Sequence, residues 1–365
     1  MDALAPRNGP ALWNPEEDEH LVCRAVREET HDVRTFVFAA RSGGAFRFEP
    51  GQFLTFEFPV AGEPVYRCYT IASAPSRPDT VSITVKRVPG GPVSNWLHDT
   101  MRPGTVVKAS GPMGEFSWAR HPSPRARYLL VSGGSGVTPM MSMARTGFDR
   151  AETRDTVFVH AARTPLDIVF RDELDLMARR DRAFRAAFVV EGDAPGVGWG
   201  GYRGRLTLPM LESIAPDWRE REVFVCGPAP FMRAVSQMLA GAGFTMAHHH
   251  EESFDFAELT GTEKTEAVEA EADLKAEART FRIEFAKTRR QVDCPEDVTI
   301  LEAARRAGIR LPASCTKGLC GTCKSKKASG EVAMHHGGGI RQREIDAGQI
   351  LLCCSRPLSD VVIER

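Results

Sequence analysis

Cys315, Cys320 and Cys323 fall within the run Ala313-Ser314-Cys315-Thr316-Lys317-Gly318-Leu319-Cys320-Gly321-Thr322-Cys323, and Cys353 and Cys354 follow in a distant segment. A C-x4-C-x2-C run completed by one remote thiol is the spacing that holds a [2Fe–2S] cluster. Gly318 and Gly321 let the loop turn tightly, so that backbone N–H groups point at sulfide and thiolate and offset their charge. A structural zinc site would more often show two C-x2-C pairs, and this chain has one. Disulfides between neighbouring thiols of one loop would need strained geometry.

Three further stretches have residue types suited to cofactors. Arg67-Cys68-Tyr69-Thr70 lies on an expected strand. Alone it is ordinary sheet surface, although a guanidinium fork suits a phosphate and an aromatic ring covers a planar group. Gly90-Gly91-Pro92-Val93-Ser94 leads into a short helix, whose first N–H groups attract anions and where Ser94 could equally be a plain cap. Ser132-Gly133-Gly134-Ser135-Gly136-Val137-Thr138-Pro139 follows an apolar strand. Its glycines admit a pyrophosphate, with Thr138 and Pro139 expected as N-cap and first helical residue. Pro139 stands where the ordinary dinucleotide fingerprint has its third glycine, which argues against that fingerprint. Cys226-Gly227-Pro228 ends a late strand; taken alone, Cys226 is an ordinary buried small side chain.

The elements that must position these residues change character along the chain. From Leu21 to Trp118 the pattern is of short strands cut by Gly/Pro turns, which points to a small antiparallel barrel. From Arg125, strands at 128–131, 157–159, 188–190 and 223–225 alternate with helices at 139–145 and 231–239, which means a parallel sheet covered on both faces. Residues 257–279 carry seven acidic and three basic side chains without a large apolar face, the composition of a linker. A strand at 281–285 and a helix over 299–307, stopped by Gly308, precede the cysteine run.

Taken in order, these pieces resemble the ferredoxin–NADP reductase superfamily joined to a plant-type ferredoxin. Arg67-Cys68-Tyr69-Thr70 is similar to the family's R-x-Y-[ST] flavin motif. The resemblance puts Arg67 on a flavin phosphate, Tyr69 on the isoalloxazine face and the Thr70 hydroxyl on flavin N5, with Cys68 between them and Gly91, Val93 and Ser94 facing the phosphates. It implies that Gly133, Gly134, Gly136, Thr138 and Pro139 bind the nicotinamide cofactor, that Cys226, Gly227 and Pro228 lie beside nicotinamide C4, that Phe254 shields the flavin, and that Arg163 meets the adenosine side. Thr70 and Cys226 are then the expected catalytic residues. Cys353 stands four residues before Pro357, the place of the last ligand in plant-type ferredoxins. The implied metal ligands are therefore Cys315, Cys320, Cys323 and Cys353, with Cys354 packed inward.

The expected fold is multi-domain. An antiparallel β-barrel flavin domain covers 19–120, an α/β parallel-sheet nicotinamide domain 125–256, a linker 257–279, and a β-grasp [2Fe–2S] ferredoxin domain 280–365. That order resembles the single-chain reductases that feed Rieske non-haem iron monooxygenases, those demethylating glycine betaine, stachydrine or carnitine in particular. It also resembles reductases of hybrid-cluster proteins, and a cytochrome P450 is a further alternative acceptor. The resemblance favours FAD over FMN and NADH over NADPH. Hydride donors give electrons in pairs and a [2Fe–2S] cluster takes them singly, so a flavin between them is chemically required.

The bulk numbers agree. With 47 basic against 48 acidic residues and a net charge of −1, the chain offers no nucleic-acid surface. No stretch approaches a membrane span, and nine cysteines in a chain of 365 residues suggest a reduced, cytoplasmic setting. Lys317, Lys324, Lys326 and Lys327 crowd the cluster loop, as a solvated basic face or as a docking patch for an acidic partner. His121 and His160 have no catalytic assignment. His335 and His336 are expected on a surface loop, because all four cysteines of a ferredoxin-type site are present.

Overall fold

Alternating aromatic and β-branched residues between turns fold into the first sheet. A computed structural model describes residues 11–365 apart from Thr153, 254–278, Arg310, Pro312, Ser314, Cys315, Lys317, Leu319, Cys320 and Gly338. Strands β1 (His20–Thr30), β2 (Val33–Ala40), β3 (Phe53–Val60), β4 (Glu63–Thr70), β5 (Val81–Lys86) and β6 (Val106–Met113) take the order β4-β3-β6-β1-β2-β5, with helix α1 (Pro92–Thr100) between β5 and β6. β1 runs antiparallel to both β2 and β6, and β2 to β5. Phe36, Phe38, Phe56 and Phe58 are fully buried; each contributes roughly 1.5–3 kcal/mol by leaving water. This is the antiparallel flavin-type layer expected from the strand pattern.

The second sheet is parallel throughout. β7 (Arg127–Gly133), β8 (Asp155–Ala162), β9 (Phe184–Val190), β10 (Tyr202–Arg203), β11 (Glu222–Gly227) and β12 (His249–Ser253) stand in the order β10-β9-β8-β7-β11-β12. Helices α2 (Val137–Asp149), α3 (Arg171–Arg180), α4 (Leu208–Ile214) and α5 (Ala229–Gly241) connect them. Apolar side chains alternate between faces. Leu130, Phe158 and Phe224 pack with Met140 and Met143 on one side, and Leu129, Val157 and Val223 pack with Trp218 and Leu239 on the other. The sequence reading lacked α3, because only Leu174 and Met177 of it are buried.

The third group contains β13 (Thr280–Phe285), β14 (Arg290–Pro295), helix α6 (Ile300–Arg306), β15 (Lys324–Ser329), β16 (Val332–Met334), helix α7 (Gln342–Asp346), β17 (Gln349–Leu351), β18 (Ser355–Pro357) and β19 (Val361–Ile363). Its main sheet has the order β14-β13-β19-β15-β17, and β16 pairs with β18. β13 and β19 are parallel while their other neighbours are antiparallel, the mixed β-grasp arrangement. Thr299 caps α6 by accepting from Glu302 N at 3.3 Å, and Gly308 ends it at φ +69°. Ile300, Leu301, Ala303 and Ala304 of α6 share one core with Cys323 and Cys353.

The chain packs as two compact units. One holds the residues up to Phe56 and those from Tyr69 through β12. The other holds the hairpin Glu57–Cys68 together with the third group of strands.

Candidate functional site

Thr70 ends β4 only 3 % exposed, and its Oγ1 has no hydrogen-bond partner. An unpaired buried hydroxyl costs about 1–3 kcal/mol, so this position suits a ligand atom. The strand's exit is fixed: Ile71 N donates to Gln52 O at 2.9 Å and Ala72 N to Ser82 O at 2.8 Å. Tyr69 stands edge-on to Phe56 at 6.3 Å. Arg67 donates from Nη1 to Tyr66 O at 2.8 Å.

Helix α1 opens with Gly91 as N-cap and Pro92 next, without an acidic residue in the first turn. That leaves its first N–H groups suited to an anion. The Ser94 hydroxyl is used internally: it accepts from Val88 N at 3.1 Å and donates to Gly91 O at 3.3 Å. It staples the turn. Val93 is buried beneath it.

In the parallel sheet the order of connections reverses between β7 and β11, and ligands of such sheets bind at the carboxyl ends of the strands flanking that point. The turn after β7 is Gly133-Gly134-Ser135-Gly136, and the turn after β11 is Cys226-Gly227-Pro228. A Cβ on Gly136 would lie 2.4 Å from Cys226 O, and one on Gly227 would lie 2.7 Å from the Phe231 ring. Only glycine lets the two turns meet. Gly134, at φ +52°, faces open space instead, where a phosphate group can approach the backbone. Helix α2 starts one residue before the expected cap: Gly136 is its N-cap, and Thr138 and Pro139 lie inside its first turn. Proline is tolerated there because a first-turn N–H has no intrahelical acceptor.

Cys226 is fully buried, and burial, with Glu252 as a second cause, pushes its thiol pKa well up. Glu252 pairs with Cys226 in the β11–β12 register. Its Oε2 is buried without a partner, and burial raises its pKa to about 8. Nothing in the local sequence marks Glu252; only the strand pairing brings it beside Cys226. Phe254 lies outside the described residues. Arg163 is exposed and bonds Asp167 Oδ1 at 2.9 Å and Asp32 Oδ2 at 3.4 Å.

Helix α2 also grips the exit of the flavin strand. Ser142 Oγ donates to Ser73 O at 2.8 Å, and Arg145 Nη1 to Ala72 O at 2.6 Å. Arg145 is held in turn by both Glu173 oxygens, at 2.7 and 2.6 Å. The helix that begins at the glycine turn thus touches the backbone two residues beyond Thr70.

In the cluster loop Cys323 and Cys353 are buried, and Gly318 N donates to Cys353 Sγ at 3.3 Å. Gly318 and Gly321 take φ +69° and +71°. A Cβ on Gly318 would meet Cys354 Sγ at 2.8 Å, and one on Gly321 would meet Gly339 O at 2.7 Å. Cys315 and Cys320 lie outside the described residues. Among the described cysteines none forms a disulfide. His335 and His336 are exposed, as expected. Of the lysines expected on the basic face, Lys324 does not belong to it, and Lys317 lies outside the described residues. Lys324 is buried, bonds Glu344 at 2.7 Å and lies 5.0 Å from the centre of the Tyr66 ring. Its side chain is buried at the start of β15, while Lys326 remains half exposed beside Glu364. Cys68 Sγ lies 3.5 Å from Thr322 Oγ1 within this unit.

Residues 21–118 match the Oxidoreductase FAD-binding domain family, 130–237 the Oxidoreductase NAD-binding domain, and 283–358 the 2Fe-2S iron-sulfur cluster binding domain. The glycine betaine monooxygenase reductase subunit of Pseudomonas aeruginosa is 47 % identical over 94 % of this chain and 95 % of its own. The stachydrine N-demethylase reductase subunit of Rhizobium meliloti is 43 % identical over 97 % of this chain and 98 % of its own. Among solved structures, phthalate dioxygenase reductase superposes with a TM-score of 0.56 at 26 % identity, covering 97 % of this chain and all of that one. The chain belongs to the flavin- and [2Fe–2S]-dependent oxidoreductases of the ferredoxin–NADP reductase superfamily.

The residues of this oxidoreductase fit the groups its family carries. The partnerless Thr70 hydroxyl suits a flavin atom, the open Gly134 backbone suits a pyrophosphate, and the Gly318 N–H directed at Cys353 suits a thiolate ligand.

Proposed function

We propose that this chain is the NADH-dependent reductase of a two-component oxygenase, passing electrons through FAD and its [2Fe–2S] cluster to a partner Rieske non-haem iron monooxygenase that demethylates a quaternary ammonium compound. The observation carrying this reading is the near end-to-end, 47 % match to a glycine betaine monooxygenase reductase subunit, in a chain that places all three cofactor devices in order. A bound flavin accepts a hydride and releases its electrons singly, which is the conversion this order requires.

The chain's own residues supply orientation. The Thr70 hydroxyl would hold the flavin, and Arg67 would take a phosphate. The Gly133–Gly136 turn would seat the nicotinamide cofactor's pyrophosphate, and Cys226 with Gly227 would face its nicotinamide. A protonated Glu252 beside Cys226 offers a hydrogen-bond donor without placing negative charge near the hydride. The carboxylates on Arg163 support NADH over NADPH, since they offset the charge a 2′-phosphate would need. Cys315, Cys320, Cys323 and Cys353 hold the cluster. No described helix is long and apolar enough to cross a membrane, which is compatible with the cytoplasmic setting we propose.

Anaerobic stopped-flow addition of NADH tests the reading. Flavin absorbance should bleach first and cluster absorbance after it, and addition of the oxidised partner oxygenase should restore the cluster. Bleaching of the flavin without reduction of the cluster would overturn the electron path. A reduced cluster that the oxygenase cannot reoxidise would overturn the partner assignment.

A further inference from the structure

Arg365 follows β19 and turns its side chain into the unit that holds the cluster loop. Its Nη2 donates to Lys324 O at 3.3 Å, on the residue next to Cys323. Its Nη1 is buried and has no hydrogen-bond partner. The backbone around it is pinned, since Lys287 N donates to Arg365 O at 2.8 Å and Arg365 N to Ile363 O at 2.8 Å. Burial disfavours the guanidinium's charge, Cys323 beside the Lys324 carbonyl favours it, and Arg67 opposes it.

This arrangement is costly as it stands. A guanidinium keeps its charge at any working pH, and a buried N–H without an acceptor loses the energy of its hydration. Arg67 adds like-charge repulsion. Lys324, a buried cation nearby, is already matched by Glu344 at 2.7 Å and does not relieve Arg365. What would relieve it is an anion at the Cys323 sulfur, and a [2Fe–2S] cluster held by four thiolates is such an anion.

We propose that Arg365 is an internal counter-ion of the cluster, a positioning residue whose charge raises the cluster's reduction potential and so draws the electron from the flavin. Reduction adds one electron to the cluster and moves no proton at Arg365, so the cluster gains one negative charge. A fixed cation stabilises the reduced form more than the oxidised one. The effect is larger in a buried setting than on the surface, because little water screens it.

This inference rests on Cys323 being a ligand, which is tested separately by the iron and acid-labile sulfide content of Cys323→Ser. A Cys323→Ser protein with full iron and sulfide overturns the ligand assignment; its loss of iron leaves that assignment standing and the counter-ion question open to the Arg365 variants. The counter-ion test is an EPR-monitored redox titration of the loaded Arg365→Met protein, in which the apolar stem remains and the charge is gone. The expected result is a three- to tenfold weaker hold on the electron, up to about 59 mV lower for a one-electron couple, with iron content and FAD affinity unchanged. Arg365→Lys should restore most of the potential. If Arg365→Met loses its cluster, Arg365→Gln provides the neutral variant. A cluster potential unchanged in the neutral variant overturns the proposal, and so does an equal shift in the Lys and neutral variants.

Discussion

The backbone N–H of Gly318 points at Cys353 Sγ from 3.3 Å, whereas the neighbouring Cys354 donates its thiol to Leu351 O at 3.7 Å. One sulfur accepts a hydrogen bond as a thiolate ligand would, and the other behaves as a packed thiol. Cys353→Ser should therefore lose most of the iron and sulfide and the visible cluster spectrum. Cys354→Ser should keep both within about a fifth of wild type, with at most about 1 kcal/mol of lost stability. Equal loss in both variants would reverse the assignment.

Thr70→Val tests the partnerless hydroxyl. Removing one positioned hydrogen bond to the flavin should slow hydride transfer from NADH by about ten- to a hundredfold. The FAD content should change little, because Arg67 and the α1 backbone remain. Single-turnover kinetics at saturating NADH separate these effects.

The carboxyl of Glu252 carries a pH dependence. Its folded pKa, near 8, lies above the ordinary glutamate value of 4.5, so between those values the folded state binds a proton that the unfolded state has lost. Its contribution to stability is full below about pH 4.5 and disappears as pH rises through 8, with a slope of about 1.4 kcal/mol per pH unit. Glu252→Gln has no such proton. Melting temperatures of wild type and variant, compared from pH 5 to 8.5, should diverge in favour of the variant as pH rises.

Asp32 bonds Lys86 at 2.8 Å and Arg163 at 3.4 Å. Asp32→Asn would leave more positive charge on the adenosine side, so kcat/KM for NADPH should rise roughly two- to fivefold, the scale of one partly exposed charge. NADH kinetics should hold steady. An unchanged NADPH value would remove Arg163 from the specificity argument.

Lys326 is the half-exposed cation of the cluster loop's basic face. Lys326→Glu should slow reduction of the partner oxygenase, most at low salt, and leave NADH–ferricyanide turnover as it was. Equal partner reduction rates would show that docking lies elsewhere.

The sequence revealed much of this because spacing reports local chemistry directly. Glycines in the Gly133–Gly136 turn, the Arg67-to-Thr70 strand and the cysteine run each name a backbone shape or a ligand within a few residues. What stayed hidden depends on partners far along the chain. Glu252 meets Cys226 through strand pairing, Arg145 reaches Ala72 from another element, and Lys324 looks like surface charge until β15 is known to turn it inward toward Glu344. Ser94 sits where a phosphate contact or a plain cap is expected; the structure gives its hydroxyl to Val88 and Gly91.

A thiol that never ionises is also a poor target for oxidants, since the thiolate is the form that reacts. Cys226, fully buried with its proton held on, should therefore resist peroxide and alkylating reagents that label Cys68 or Cys354 first. If Cys226 lies beside the transfer as proposed, this chemical inertness would protect it from the by-products of electron leakage in air.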